Sequence, residues 1–246
     1  MNQPNIDFWK KQFADFTTIV VANGEVPDSE LSLSILNDKR RIICCDGALQ
    51  KLLSINIIPD VVVGDGDSLG IPPVETLRAA SLQDEDPQRR DAPWHVSTNG
   101  HDIPYYPDKS EEYNDLQKAL KYCTAKGYDN ILLMGCGGLR EDHFIANLSI
   151  LAMYSENKRI RMLTEHGDFS VINRVAEIPS YPGMQVSVFP SHSKQKFWFT
   201  GLKYPVHNRS FKWLWEGSLN EAQGDTFIVE ASDDEPFVVY RALSPC

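Results

Sequence analysis

Two aspartates separated by one residue follow an apolar run in the segment Val61–Gly70, VVVGDGDSLG. Residues i and i+2 of an extended chain point to the same side, so the carboxylates of Asp65 and Asp67 are expected to face one point. Gly64 and Gly66 allow the backbone to turn tightly and a ligand to come close. Because converging carboxylates repel each other unless a cation lies between them, the pair predicts a site for Mg²⁺, which prefers hard oxygen ligands.

Helix capping is the alternative interpretation of this turn. Asp67 or Ser68 would then accept the first N–H groups of a helix that begins near Pro72-Pro73. A single aspartate at this place favours capping. The pair favours a metal, because ligands of open parallel sheets bind beyond the carboxyl ends of the strands.

The segment 135–143, GCGGLREDH, has the residues of a phosphate-binding turn. Its glycines expose backbone N–H groups and a helix N-terminus follows, and both favour anions. Arg140 adds a fork of donors that suits phosphate oxygens. Asp142 would orient Arg140 or cap the helix. A plain glycine turn with an aspartate cap is the alternative, and His143 taken alone indicates a structural role.

Further acidic residues follow or precede predicted elements. Asp46 ends a strand in the Cys45-Asp46-Gly47 turn, and an acidic segment, 108–115, precedes a helix. Acidic residues before a helix are also common as caps and as partners of the helix dipole. These positions therefore support a metal site only in combination with the Asp65 and Asp67 pair.

Strand and helix patterns alternate over the first two thirds of the chain and predict the elements that hold these residues. Apolar runs at 17–24, 59–64 and 159–164 read as strands, and 114–127 and 142–155 read as helices. Runs that are apolar throughout indicate a parallel sheet covered on both faces. Further segments with the same patterns are strands at 40–45 and 130–135 and a helix at 47–54.

After about residue 165 the pattern changes to short strands with Gly-, Pro- or Asn-rich breaks, which indicates an antiparallel unit. The predicted strands are 169–173, 184–190, 195–201, 211–217, 225–232 and 236–243. The predicted fold is thus α/β, with a parallel Rossmann-like sheet between helices over residues 1–165 and a small antiparallel β-sandwich domain over residues 166–246. The polar stretch 81–107 fits neither element and is expected to be a long surface loop.

Composition narrows the class of partner. A formal net charge of -10 argues against general affinity for nucleic acid or an anionic membrane. No apolar run approaches the ~20 residues of a membrane span, and the start of the chain lacks the apolar stretch of a signal peptide. Five cysteines without CxxC spacing disfavour a disulfide framework, so a reduced cytoplasm is the expected compartment.

Taken in order, the motifs resemble those of the thiamine pyrophosphokinase family. They are CDGA (45–48), PDVVVGDGDS (59–68), DKSEEYND (108–115) and GCGGLREDH (135–143). The segment TGLKYPV (200–206) is similar to a family segment in the β-rich part. The combination is specific although no single motif is, and the resemblance covers nearly the whole chain.

The resemblance implies transfer of a pyrophosphoryl group from ATP to the hydroxyethyl oxygen of thiamine, giving thiamine diphosphate and AMP. The residues it assigns to Mg²⁺ or its water shell are Asp46, Asp65, Asp67 and Asp115. The residues it assigns to catalysis are Asp65, Asp67, Asp115 and Arg140. The residues it assigns to ATP are Gly64, Ser68, Gly135, Gly138, Arg140, Asp142 and His143. Positioning and charge stabilisation would supply most of the acceleration.

The chain departs from the family pattern in three places, the first of which is the 81–107 loop, longer than the family's usual connection. Its acidic segment is longer than the usual D-x-x-x-N-D, so the first acidic position falls on Asp108, Glu111 or Glu112. The Ser-Asn pair that contacts thiamine in the family has as its candidates Ser218 and Asn220, which Leu219 separates.

The resemblance also implies a homodimer, with thiamine held between the α/β domain of one subunit and the β domain of the other. A cationic thiazolium suits an aromatic face, and Trp213 or Trp215 is the expected contact. Two other readings stay open. One is a metal-dependent phosphohydrolase with an aspartate nucleophile, and the other is a thiamine or nucleotide sensor without catalysis.

Overall fold

The computed structural model describes residues 5–69, 94–98 and 100–244. Its α-helices are α1 (Ile6–Phe13), α2 (Glu30–Leu36), α3 (Leu49–Ser54), α4 (Asp115–Ala125) and α5 (Glu141–Ser155). Its first strands are β1 (Thr18–Val21), β2 (Arg41–Cys45), β3 (Val61–Gly64), β4 (Trp94–Thr98), β5 (His101–Pro107), β6 (Asn130–Met134) and β7 (Arg159–Leu163). The remaining strands are β8 (Gly167–Asn173), β9 (Val175–Pro179), β10 (Gln185–Phe189), β11 (Lys196–Thr200), β12 (Val206–Ser210), β13 (Asn220–Glu221), β14 (Thr226–Ala231) and β15 (Pro236–Ala242).

The chain divides into two compact units, Asp15–Asn147 in one and Met1–Ala14 with Leu148–Cys246 in the other. The predicted boundary between residues 165 and 166 stays a prediction. In the described part of the chain, no helix combines the length and apolar character needed to cross a membrane. The cysteines of that part are free and buried, at positions 44, 45, 123 and 136.

The first unit contains the predicted parallel sheet, in the order β6-β1-β2-β3-β5-β4. All of its neighbouring pairs are parallel except β4 with β5. Every residue of β1 and of β3 is buried, as expected for strands with both faces covered. The apolar side of α4 packs against β2 and β3 and includes the buried residues Leu116, Leu120 and Cys123.

The prediction of a loop over 81–107 is wrong for its second half, where β4 and β5 form an antiparallel hairpin. Gly100 in the turn has φ +80°, a conformation that favours glycine. The Asn-Gly pair between two short strand-like runs was the missed signal. Pro104 and Pro107 weaken the strand pattern of β5. Residues 81–93, and the helix expected near 72–73, lie outside the described residues.

The second unit is antiparallel apart from its helices, as predicted. One set of strands has the order β13-β10-β15-β8-β7, and a separate sheet has the order β12-β11-β14-β9. Phe197 on β11 contacts Phe237 on β15 edge-to-face, with ring centroids 5.3 Å apart, and both rings are buried. The predicted sandwich arrangement stays a prediction.

The strand predicted at 211–217 is wrong, because this segment forms a 3₁₀ turn over Leu214–Gly217. The Glu216 carboxylate accepts hydrogen bonds from the backbone N–H groups of Lys212 and Trp213, at 2.6 and 2.9 Å. These local bonds satisfy donors that a strand would offer to a neighbour. The aromatic content of the segment had suggested a strand, but Trp213 and Trp215 are exposed.

Candidate active site

The turns after β2 and β3 lie side by side because the two strands are paired in parallel register, with Cys45 opposite Val63. Asp46, the first residue beyond β2, is buried, and its Oδ2 accepts a hydrogen bond from Gly66 N at 2.9 Å. Its Oδ1 accepts one from Gly47 N at 2.7 Å. The sheet register therefore places Asp46 against the GDGDS turn.

Three carboxylates converge there. One oxygen from each of Asp46, Asp65 and Asp67 lies within 4.8 Å of the others. Asp46 is buried, Asp65 is partly exposed and Asp67 is exposed, so the cluster opens to solvent on one side. Three hard oxygen ligands around one point fit Mg²⁺, with room for phosphate oxygens and water on the open side. As metal ligands, the three aspartates stay a prediction.

The turn itself is built by short polar contacts. Asp65 Oδ1 accepts a hydrogen bond from Asp67 N at 3.3 Å, and Asp67 Oδ1 accepts one from the Ser68 hydroxyl at 3.0 Å. The buried Tyr105 hydroxyl donates to Gly64 O at 2.9 Å. Ser68 thus steadies Asp67, and Tyr105 fixes the end of β3 beneath the cluster.

Asp115 lies at the start of α4 and joins the cluster through a lysine. The ammonium group of Lys118 is 2.7 Å from Asp65 Oδ2 and 3.1 Å from Asp115 Oδ1. The Lys118 side chain is only 3% exposed. Sequence reasoning missed Lys118, because a lysine in a helix ordinarily points to solvent and no spacing rule singles this one out.

The electrostatics of the cluster differ from residue to residue. Burial raises the pKa of Asp46 to about 6, although the Gly66 hydrogen bond opposes the rise. The hydrogen bond from Lys118 lowers the pKa of Asp65. Burial works against the charge of Lys118, but the hydrogen bonds to Asp65 and Asp115 outweigh it and raise its pKa. Lys118 and Asp65 therefore form a charged pair, whereas burial favours the protonated form of Asp46.

Of the acidic residues upstream of Asp115, Asp108 lies next to the GDGDS turn, because its backbone N–H donates to Gly64 O at 2.8 Å. Asp108 Oδ1 accepts a hydrogen bond from Ser110 N at 3.0 Å, which closes a local turn. Glu111 and Glu112 are exposed. Which of the three matches the family's first acidic position stays open.

A cavity of about 360 Å³ lies beside Asp115 at the same edge of the sheet. Its lining combines backbone from the turns after β1 and β6 with a few polar side chains. The residues that matter for anion binding are Asn23, Lys51, Gly137, Arg140, His143 and Asn147. Two cations and a glycine turn at a helix N-terminus suit a phosphate chain.

The glycine turn is shaped by close contact between two loops. Gly24 N donates to Gly135 O at 2.6 Å, and a Cβ built on Gly24 would lie 2.3 Å from that oxygen. Gly135 and Gly138 have φ +64° and +87°. The Asn147 amide donates to Cys136 O at 2.9 Å and ties α5 to the same turn.

Arg140 and Asp142 form a bidentate pair at the rim of this cavity. Arg140 Nη2 and Nε donate to the two Asp142 oxygens at 2.6 and 3.1 Å. The Arg140 bond lowers the pKa of Asp142 to about 2, so the carboxylate is charged at neutral pH. Both side chains are exposed, so Asp142 orients the guanidinium without removing it from solvent.

Lys51, on α3, was also missed by the sequence interpretation. Its ammonium group donates to Asn23 Oδ1, Asn23 O and Gly24 O at 2.6, 3.0 and 2.9 Å. It thereby fixes the turn after β1 and adds positive charge to the cavity wall. Lys51 follows the CDGA motif by three residues but is not part of it, and a lysine in a helix carries no spacing signal that would have found it.

A second cavity, of about 280 Å³, lies in the other unit. Its lining includes Tyr204, Arg209, Glu216, Ser218 and Asn220. The side-chain amide of Asn220 forms hydrogen bonds with the backbone of Tyr204. Its Oδ1 accepts from Tyr204 N at 3.0 Å, and its Nδ2 donates to Tyr204 O at 2.8 Å. The Ser218 hydroxyl donates to Trp215 O at 2.7 Å.

Comparison with known proteins identifies the family to which this chain belongs. Residues 33–163 match the family model described as "Thiamin pyrophosphokinase, catalytic domain", and residues 167–240 match "Thiamin pyrophosphokinase, substrate-binding domain". The chain belongs to the thiamin pyrophosphokinase family. It is accordingly a thiamine diphosphokinase, which transfers a pyrophosphoryl group to thiamine with ATP as co-substrate.

Solved structures of thiamin pyrophosphokinases have the same fold. The protein from Geobacillus thermodenitrificans is 20% identical, with a TM-score of 0.66 over 92% of this chain and 96% of that one. The protein from Bacillus subtilis is 22% identical, with a TM-score of 0.66 over 92% and 98%. The protein from Candida albicans is 18% identical, with a TM-score of 0.68 over 94% and 90%. A sequence comparison with curated proteins found no match.

Within the thiamin pyrophosphokinase catalytic domain, the structure brings several predicted residues together. Asp46, Asp65 and Asp67 form the carboxylate cluster, and Asp115 reaches it through Lys118. Arg140 and His143 line the adjoining cavity. In the unit that contains the substrate-binding domain, Ser218 and Asn220 line a separate cavity.

Proposed function

We propose that this thiamin pyrophosphokinase works with Mg²⁺ held by Asp46, Asp65 and Asp67. The convergence of their carboxylate oxygens within 4.8 Å carries the proposal, because three carboxylates at one point, one of them buried, repel each other unless a cation lies between them. Mg²⁺ bound there would offset the charge of the triphosphate and stabilise charge that develops during transfer. Asp115 would add a fourth carboxylate beside the metal.

ATP is proposed to lie in the cavity beside this cluster. Arg140, oriented by Asp142, would hold phosphate oxygens, and the Gly135–Gly138 turn would offer backbone N–H groups. Lys51 adds a third source of positive charge in the cavity wall. The β-phosphorus would then lie on the side of the cavity that Asp115 lines.

The reaction then needs little covalent chemistry from the protein. The thiamine hydroxyl oxygen attacks the β-phosphorus, the bond from that phosphorus to the α-phosphate oxygen breaks, and AMP leaves with the electron pair. The hydroxyl proton passes to a nearby carboxylate or to water. Positioning of the two substrates and neutralisation of charge supply the acceleration.

Thiamine is proposed to use the cavity that contains Glu216 and Ser218. The exposed indoles of Trp213 and Trp215, 59% and 71% accessible, offer faces for a cationic thiazolium. Homodimer formation and a cytoplasmic location stay predictions of the sequence. Ser218 and Asn220 stay candidate thiamine contacts.

The test measures AMP and thiamine diphosphate formed from ATP, thiamine and Mg²⁺, with EDTA as the control. We expect both products in equal amounts, their loss on chelation, and loss of turnover by at least a hundredfold in Asp67→Asn. Asp225→Asn, an exposed aspartate in the other unit, should retain full activity. Inorganic phosphate without thiamine diphosphate would indicate a hydrolase, and ligand binding without product a sensor.

A further inference from the structure

The buried ammonium group of Lys118 lies between two carboxylates of the active site. It is 2.7 Å from Asp65 and 3.1 Å from Asp115, and its side chain is 3% exposed. The two carboxylates are about one third exposed, at 36% and 33%. Lys118 is therefore the buried member of a three-residue bridge whose outer members are partly exposed, and one of them, Asp115, lines the cavity.

Lysine is seldom buried unless its charge is paired, because removing an ammonium group from water costs several kcal/mol. Here the two hydrogen bonds meet that requirement. They also connect α4, which carries Asp115 and Lys118, to the turn after β3, which carries Asp65. The bridge thus fixes the relative positions of two elements that both border the site.

In a two-metal site, the second metal ion would lie between carboxylates, as the ammonium group of Lys118 does here. Metal ions in paired sites are bridged by carboxylates and lie ~3.5–4 Å apart. Asp65 belongs to the Asp46, Asp65 and Asp67 cluster, and its Oδ2 accepts a hydrogen bond from the ammonium group that also binds Asp115. A cation is therefore already present between Asp65 and Asp115.

We propose that Lys118 is a positioning residue whose ammonium group bridges Asp65 and Asp115 in place of a second metal ion. The inference rests on the proposed function, since it takes the metal at Asp46, Asp65 and Asp67 as given. Lys118 holds the Asp65 carboxylate at the spacing that the metal requires. Its positive charge also offsets one of the negative charges of Asp46, Asp65, Asp67 and Asp115. These carboxylates therefore bind one ion strongly rather than two.

The experiment counts Mn²⁺ bound per chain, by the electron paramagnetic resonance of free Mn²⁺ in titrations of the whole protein without nucleotide. Wild type should bind one ion that Asp67→Asn removes. Lys118→Met should bind one ion more than wild type, and Lys118→Met combined with Asp115→Asn should lose that extra ion. Lys121→Met is the matched control, because Lys121 is exposed on the same helix and contacts only the Tyr113 ring among the contacts described.

Kinetics give a second readout. In Lys118→Met, kcat should fall at least tenfold with the KM for thiamine unchanged. Its activity should continue to rise at Mg²⁺ concentrations that saturate wild type, because an ion then replaces the ammonium group. Lys118→Arg keeps the charge, so it should bind the wild-type number of ions and keep the wild-type Mg²⁺ dependence. This variant carries the test if Lys118→Met fails to fold.

The outcomes separate the two proposals. If wild type binds an ion that Asp67→Asn removes but Lys118→Met binds no more than wild type, the role of Lys118 is wrong and the metal site stands. If Lys118→Arg gains an ion, charge replacement is likewise wrong. If wild type binds no ion that depends on Asp67, the metal assignment of the proposed function is wrong, and the role of Lys118 falls with it.

Discussion

The carboxylate of Asp46 is held 2.9 Å from the backbone N–H of Gly66, so the residue after β2 is fixed to the turn after β3. This bond crosses between two neighbouring parallel strands at their carboxyl ends. It brings a buried carboxylate to the pair formed by Asp65 and Asp67. The geometry of the proposed metal site therefore depends on the space left for the Asp46 side chain as much as on the presence of the three aspartates.

Gly64 provides that space, and we expect Gly64→Ala to disrupt the site. A Cβ there would lie 2.4 Å from both Cγ and Oδ2 of Asp46, which is buried and held by two hydrogen bonds. Overpacking of this kind costs ~1–3 kcal/mol of stability. Turnover should fall at least tenfold and Mg²⁺ affinity should fall with it.

Gly224→Ala is the control for this substitution, because the nearest atom to its added Cβ is 3.9 Å away. Chemical unfolding and steady-state kinetics should be measured for both variants. Wild-type turnover in Gly64→Ala would mean that Asp46 can move without loss of the reaction.

The titration of Asp46 makes the free energy of unfolding of the metal-free protein depend on pH. Burial raises its pKa from 3.8 to about 6, so the folded chain holds this proton more tightly than the unfolded chain does. The contribution of Asp46 to the free energy of unfolding is therefore present at low pH and is lost as the pH rises through 6. Between pH 4.5 and 7.5 the loss amounts to roughly 2 kcal/mol.

Urea unfolding in EDTA at the two pH values, for wild type and Asp46→Asn, isolates this contribution. Wild type should lose stability relative to Asp46→Asn as the pH rises. Added Mg²⁺ should restore stability to wild type at pH 7.5 and not to the variant, because ion binding favours the folded chain. Parallel pH curves for the two proteins would show that Asp46 titrates normally.

Much of the site follows from sequence because its residues stand at ends of elements. Asp65 and Asp67 share a side of an extended turn, and Asp46 ends an apolar run, so their convergence could be predicted once the strands were taken as parallel neighbours. The phosphate-binding turn was recognisable from its glycines and Arg140 for the same reason. These features depend on local spacing and on a general rule of α/β sheets.

The rest depends on packing between elements that are distant in sequence. Lys118 looks like an ordinary helix lysine, and its burial arises only because α4 packs against β3. Lys51 is placed in the cavity by the path of α3. The hairpin of β4 and β5 was missed because prolines weaken the strand pattern, although pairing with β3 compensates. The 3₁₀ turn at Leu214–Gly217 depends on hydrogen bonds that the Glu216 side chain accepts, and the periodicity of the sequence does not show such bonds.

Arg140 should act on the nucleotide and not on thiamine. Its guanidinium lines the cavity and is held by Asp142 through two hydrogen bonds. In Arg140→Ala the KM for ATP should rise about tenfold, or ~1.4 kcal/mol, with the KM for thiamine unchanged. Arg174→Ala is the control, because Arg174 also forms an exposed pair, with Asp234. A change in the KM for thiamine alone would place Arg140 with the other substrate.

The exposed indoles near the second cavity should affect thiamine and not ATP. Trp213 and Trp215 are 59% and 71% accessible, so either can be shortened without opening the core. A cation over an indole face gains ~0.5–2 kcal/mol, so the alanine variant of the contacting residue should raise the KM for thiamine about two- to thirtyfold. The matching phenylalanine variant keeps an aromatic face and should lose less. Unchanged thiamine kinetics in both Trp213→Ala and Trp215→Ala would exclude these side chains from the binding site.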